Sequence, residues 1–203
     1  MVYLFIIYFS KEVIGVSDPF TLAICILFGG FIGLLDDWSD IKWRYKAFLP
    51  LIAALPLIYL ARQNGLATSI DLFGINLQLG QAYYFVIIPL IVMIVTNTIN
   101  MLAGLNGLET ICPGIILIGL TAISPPSAQL IMAGPLIVWL ILAYFNFRGK
   151  IFVGNVGSFS IGMTVASFAV IANLKTALLT AIIPYVFNSA LILLTFFFVR
   201  KKA

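Results

Sequence analysis

Long apolar runs separated by short polar turns leave this chain few ways to fold. Stretches at about 2–16, 20–35, 47–61, 82–99, 108–123, 128–145, 157–173 and 176–199 carry almost no charge. Runs of that length, rather than ten-residue alternation of apolar and polar residues, predict helices that cross a membrane and not an outer-membrane barrel. Hydrocarbon offers backbone amides no water, so only helices and closed barrels can span it. The overall balance agrees: 63% of the 203 residues are hydrophobic and 9% charged, with a mean hydropathy of +1.16. A soluble domain carries far more charge. The expectation is one all-α polytopic transmembrane bundle over residues 1–203, with about seven or eight spans. Several runs are short for a full span, which tilt or burial among neighbours must offset. The opening MVYLFIIYFSKE lacks the basic start and small-residue cleavage site of a signal peptide, so a retained span is expected. Between Gln63 and Gln81, alternating Ile70, Leu72, Ile75, Leu77 and Leu79 around Phe73-Gly74 predict a small hairpin on the non-cytoplasmic side.

Charge sorts the connections into two sets. Asp36 to Lys46, Asn97 to Glu109, Phe147 to Ser158 and the terminal Arg200-Lys201-Lys202 hold eight of the eleven cations; Lys11, Arg62 and Lys175 fall on the other side. Positive-inside bias assigns the first set to the cytoplasm. Every motif-like polar stretch lands on that face, which favours a cytoplasm-facing site over a transport path that must open to both sides. The chain has no histidine, leaving Asp, Glu, Lys, Tyr and amides for any chemistry. Cys25 and Cys112 lie in or beside apolar runs without metal-ligand spacing and are expected to be small buried hydrophobes.

Three polar stretches stand out. In GLLDDWSDIKWRYK (33–46), Asp36 and Asp37 sit where a span meets water. Paired acids there can hold a divalent cation or take a proton, and Lys42, Arg44 and Lys46 can hold phosphates. The bland alternative, a basic topology flank, accounts for Lys42 and Arg44 better than for a paired Asp inside the span. Trp43 and Tyr45 look like interfacial anchors. In NTINMLAGLNGLE (97–109), Asn97 and Asn100 share a helix face, and Gly104 and Gly107 let the backbone approach a ligand. Membrane-buried Asn as helix glue and Asn-Gly as a simple turn are the alternatives, and Glu109 is expected to be structural. In RGKIFVGNVGS (148–158), small residues at a helix start offer backbone N–H groups to phosphate, although the P-loop pattern is not met. Phe152 suits either stacking on a base or the aromatic belt.

The order and spacing of DDWSDIKWRYKAFLPLIAALPL, NTINMLAGLNGLE and IFVGNVGSFSIGM resemble the polyprenyl-phosphate N-acetylhexosamine-1-phosphate transferase family, over roughly residues 20–195. AGLNGLE, where bacterial murein-precursor enzymes have DGxDGL, is nearest the archaeal and eukaryotic branch that makes GlcNAc-diphospho-dolichol. The resemblance implies transfer of GlcNAc-1-phosphate from UDP-GlcNAc to a polyprenyl (dolichyl) phosphate with release of UMP, aided by Mg²⁺ or Mn²⁺. This is the first step of lipid-linked oligosaccharide assembly. It implies catalytic roles for Asp36, Asp37 and Lys46, with Lys46 also binding the diphosphate. Asn106 would read uracil, Phe152 and Gly154 would shape the base pocket, and Asn100 and Asn155 would be metal ligands. It also implies a membrane-embedded enzyme with its active face in the cytoplasm, in the plasma membrane if archaeal or the endoplasmic reticulum if eukaryotic. A homodimer is compatible with the family, and no nucleic-acid partner is expected.

Two departures qualify these expectations. Asn155 stands where the family usually has an aspartate ligand. The family's first span and its late His- and Arg-bearing loop have no counterpart, so the chain is expected to be the middle of such an enzyme, beginning and ending early. The rival expectations are a silent homologue that binds UDP-sugar or a partner subunit, and a transporter or scaffold for lipid-linked sugars.

Overall fold

The computed structural model describes residues 17–72, 75–102, 104 and 106–199. Over these residues it is a helical bundle with one two-stranded antiparallel sheet. The helices are α1 (Ser17–Ser39), α2 (Trp43–Ala53), α3 (Leu55–Gln63), α4 (Ile88–Asn100), α5 (Leu108–Ile123), α6 (Pro126–Phe147), α7 (Gly154–Ile171) and α8 (Lys175–Val199). The hairpin strands are β1 (Ser69–Leu72) and β2 (Ile75–Gln78), paired antiparallel between α3 and α4.

Among the described residues, six segments are long and apolar enough to cross a membrane: Asp18–Ser39, Trp43–Gln63, Tyr83–Asn100, Pro126–Phe147, Gly154–Ile171 and Lys175–Thr195. The seventh expected run, α5, is an apolar helix of 16 residues, about 24 Å at 1.5 Å per residue and short of a ~30 Å hydrocarbon core. The expected first run, 2–16, lies outside the described residues, as do Phe73-Gly74, around which the hairpin is expected.

Proline punctuates the spans. α2 and α3 form one span broken at Ala54, because Pro50 and Pro56 each lack an N–H for the ladder. Ahead of Pro89, Tyr83–Ile87 winds as a π-helical turn before α4 begins.

α7 is the axis of the bundle, with two thirds of its span buried. Its Phe159, Met163, Val165, Ala166, Phe168 and Ala169 are all fully buried. Its nearest partner is α1, which approaches through Gly29 and Gly33. A Cβ built on Gly33 would lie 2.2 Å from the carbonyl oxygen of Asn155, and one on Gly29 would lie 2.7 Å from Met163 Cγ. Small residues four apart let two backbones meet, as in membrane helix pairs generally. This contact carries the end of α1 onto the start of α7. The outer helix faces expose Phe31, Leu55, Ile115, Ile137 and Phe187 to the surrounding layer, as a bundle dissolved in lipid requires.

Candidate functional site

The close approach at Gly33 places Asp36 and Asp37 beside the N-terminus of α7. Asp37 Oδ1 accepts from the Asn155 backbone N–H at 3.2 Å and from its side-chain amide at 2.8 Å, and Oδ2 accepts from the Val156 N–H at 3.2 Å. A carboxylate from a different helix therefore caps α7, where orphan N–H groups and the helix dipole favour negative charge. Gly154, at φ +63°, leads into that helix, and a Cβ there would stand 3.0 Å from Asp37 Oδ2.

Asp36 turns the other way and is 5% exposed. After α1, Asp40 adopts a left-handed φ of 47°, a conformation that Asp tolerates better than most residues. The reversal brings the first turn of α2 back toward α1. Lys46 then forms an ion pair with Asp36, donates to Asn155 Oδ1 at 3.2 Å, and lies 5.4 Å from the centroid of the buried Phe159 ring. Lys42, Arg44, Trp43 and Tyr45 point outward, with Arg44 over the Tyr45 ring.

Asn100, at the end of α4, joins through Ser158, whose hydroxyl donates to Asn100 Oδ1 at 2.6 Å and lies 3.3 Å from the Asn155 carbonyl oxygen. Asp36, Asp37, Lys46, Asn100, Gly154 and Asn155 thus converge as one cluster. Asn97 does not join it. Its amide donates to the carbonyls of Ala47 and Met93 at 2.9 and 2.8 Å, the helix-glue role.

A second cluster at the same end holds the turn after α4. Gly107, at φ +87°, precedes α5. Asn146, fully buried near the end of α6, accepts from the Gly107 N–H at 2.8 Å and the Thr110 hydroxyl at 3.1 Å. Its amide donates to Glu109 Oε1 at 3.3 Å and the Ile151 carbonyl at 3.1 Å. One side chain therefore joins the loop bearing Asn106 to the loop bearing Phe152. Asn106 and Phe152 are themselves exposed, Phe152 at 91%. Glu109 is buried and accepts from the Asn146 amide. The reading of the sequence missed Asn146, whose available signal was a lone amide at the end of an apolar run. It also missed Ser158 as a link to Asn100, having weighed that residue only as a helix start.

From Lys46 a groove of ≈ 480 Å³ runs between α2, α4 and α8. Its polar lining is Lys46, Asn97, Thr98, Asn100 and Ser189, and its apolar walls include Phe48, Met93, Ile94 and Ile192. Another cleft, ≈ 530 Å³ between α5 and α8, is lined by residues such as Cys112, Leu120 and Ala181 and contains none of the cluster's side chains.

These features define a polytopic membrane protein whose charged and amide cluster shares Lys46 and Asn100 with a largely apolar groove. Residues 19–173 match glycosyl transferase family 4, and the chain belongs to that family. It is similar to the UDP-N-acetylglucosamine–dolichyl-phosphate N-acetylglucosaminephosphotransferase of Schizosaccharomyces pombe, 28% identical over 190 residues that cover 82% of this chain and 42% of that protein. A Saccharolobus solfataricus protein that carries the same name provisionally is 38% identical over 175 residues, 82% of this chain and 53% of its own. The phospho-N-acetylmuramoyl-pentapeptide-transferase of Streptococcus agalactiae is 28% identical over 216 residues, 98% of this chain and 64% of that protein. The chain spans about half the length of the curated archaeal relatives it matches.

Proposed function

We propose that this chain is the core of an enzyme that transfers GlcNAc-1-phosphate from UDP-GlcNAc to dolichyl phosphate at the cytoplasmic face of its membrane. The observation that carries the reading is the position of Lys46. It belongs at once to the acidic and amide cluster and to the lining of the apolar groove. A polyprenyl phosphate laid in that groove would bring its phosphate to Lys46. There an oxygen of the lipid phosphate attacks the sugar-bearing phosphorus, a new P–O bond forms, and the bond to UMP breaks with its electron pair leaving on UMP. The names of the relatives supply the two substrates.

In this scheme Asp36 orients the Lys46 ammonium against the phosphates and is the carboxylate placed to receive a proton from the incoming lipid phosphate. Asp37 holds the α7 N-terminus in place. Asn106 and Phe152, exposed on the two loops joined by Asn146, are offered to uracil, the one by amide hydrogen bonds and the other by stacking. The cluster's oxygen donors are the carboxylates of Asp36 and Asp37 and the amide oxygens of Asn100 and Asn155. Hard oxygens of this kind suit Mg²⁺ or Mn²⁺. Among the described residues no three acidic, histidine or cysteine side chains converge, so such a cation would rest largely on the substrate's own diphosphate. Bound there, it would neutralise charge between the two anions.

Asn155, a neutral amide whose oxygen and nitrogen are both engaged by neighbours, favours a second reading: a homologue that binds the nucleotide sugar without turnover. One assay separates the two. Reconstituted protein supplied with UDP-GlcNAc, dolichyl phosphate and Mg²⁺ should release UMP, and EDTA should stop it. Nucleotide binding with no UMP release would establish the silent homologue, and turnover unaffected by EDTA would remove the metal from the scheme.

A further inference from the structure

The hairpin lies at the end of the bundle opposite Asp36 and Lys46. That end is identified by the Asn64 amide, which donates to Asp18 Oδ1 at 2.9 Å and ties the end of α3 to the start of α1. In the ladder, Ile70 pairs with Leu77, Leu72 with Ile75, Asp71 with Asn76 and Ser69 with Gln78. Residues directly opposite share a face, as do alternate residues along a strand. Ile70, Ile75 and Leu77 therefore occupy one face, and Asp71, Asn76 and Gln78 the other. On the polar face Asn76 donates to Asp71, and Gln78 donates to Asn76 at 2.9 Å.

The apolar face is docked at one strand and open at the other. Ile70 is 6% exposed and part of the core, whereas Ile75 and Leu77 are 63% and 47% exposed. The hairpin's base is tied to the bundle: Lys175 at the start of α8 donates to the Ala67 carbonyl and the Tyr84 hydroxyl donates to the Leu66 carbonyl at 2.9 Å. Ile75 and Leu77 thus share the face by which Ile70 packs into the core, and carry that face outward to an exposed strand. Exposed Tyr59 and Phe85 lie at this end, with the Arg62 guanidinium 5.8 Å from the Phe85 ring centroid. Aromatic and basic residues of this kind mark a membrane–water boundary.

We propose that β2 is a membrane-surface anchor, laying Ile75 and Leu77 into the headgroup–acyl boundary of the leaflet opposite the acidic cluster. The occupant is hydrocarbon and not an anionic headgroup. The described part of the hairpin has Asp71 as its single charge and no cation, so it offers anionic lipid no counter-charge.

Single cysteines at positions 75, 76 and 77, introduced with Cys112→Ala into the full chain, test this. Cys25 is fully buried and stays. All three sites are on the exposed strand, so the bundle is expected to fold around them. After labelling with an environment-sensitive fluorophore and reconstitution in phosphatidylcholine vesicles, the labels at 75 and 77 should be blue-shifted and quenched by nitroxide-bearing lipid. The label at 76 should be quenched by aqueous iodide, and the pattern should not change when phosphatidylglycerol is added. Iodide quenching of all three labels would overturn the proposal. So would self-quenching at 77 that unlabelled protein relieves, which would make the occupant a second copy of this chain.

Discussion

The side-chain amide of Asn155 donates to Asp37 at 2.8 Å across 118 residues of sequence. That one contact makes the end of the first described helix and the start of the central one a single structural unit. It also decides what an aspartate at 155 would do. Asn155→Asp removes the donor and sets a second carboxylate against Asp37. Without divalent cation the variant should melt below the parent, by about 1–3 kcal/mol. Mg²⁺ should raise its midpoint far more than the parent's, and on the proposed reaction it should need less Mg²⁺. Equal Mg²⁺ responses in a thermal-shift assay would mean that position 155 does not meet the cation.

Lys46 and Asp36 answer to each other. Lys46→Met would leave the nearly inaccessible Asp36 without its counter-charge, at a cost of about 3–5 kcal/mol. Lys46→Met with Asp36→Asn should recover most of that stability while remaining inactive. Unfolding midpoints and UMP release, measured on both variants, separate the two effects. Full activity in the double variant would remove the pair from the proposed chemistry.

Gly33 and Gly119 are both helical glycines with opposite surroundings. A methyl at Gly33 would meet the Asn155 backbone at 2.2 Å, while one at Gly119 would meet nothing within 4 Å. Gly33→Ala should lose about 1–3 kcal/mol by overpacking and should pull Asp37 off the α7 N-terminus, lowering activity with it. Gly119→Ala should be neutral or stabilise by up to about 1 kcal/mol. Thermal midpoints of the two single variants check the contrast.

Asn146 fastens the Asn106 loop to the Phe152 loop, yet is fully buried and cannot touch a ligand. Asn146→Ala leaves the Gly107 N–H and the Ile151 carbonyl without their partner, each worth about 1–3 kcal/mol when stranded. On the proposed reaction the variant should raise KM for UDP-GlcNAc while leaving KM for the lipid phosphate near the parent value. A parallel rise in both would reduce Asn146 to a general stability role.

Much of this protein could be read without coordinates, for a physical reason. In hydrocarbon the backbone has no choice but to satisfy itself, so apolar runs such as 20–35 and 128–145 translate directly into α1 and α6 with small errors at their ends. Residue chemistry was equally local: the Asp36-Asp37 pair, the asparagines around 100 and the glycines before α7 announced themselves by type and spacing. Which of them meet was not local. Asn97 and Asn100 look alike in sequence, but the packing of α2 against α4 turns one into helix glue and leaves the other beside Ser158. Asp36 and Asp37 are neighbours whose roles diverge because adjacent helical residues point about 100° apart, one toward Lys46 and one toward the α7 N-terminus. Asn146 drew no notice as a lone amide ending an apolar run, and only the close approach of two loops gives it four hydrogen bonds. The sequence by itself determined the membrane-helical class and the chemical inventory, since both follow from transfer energies and residue type. The tertiary structure alone decided the pairing of charges, because that depends on helix contacts as particular as the one permitted by the missing side chain of Gly33.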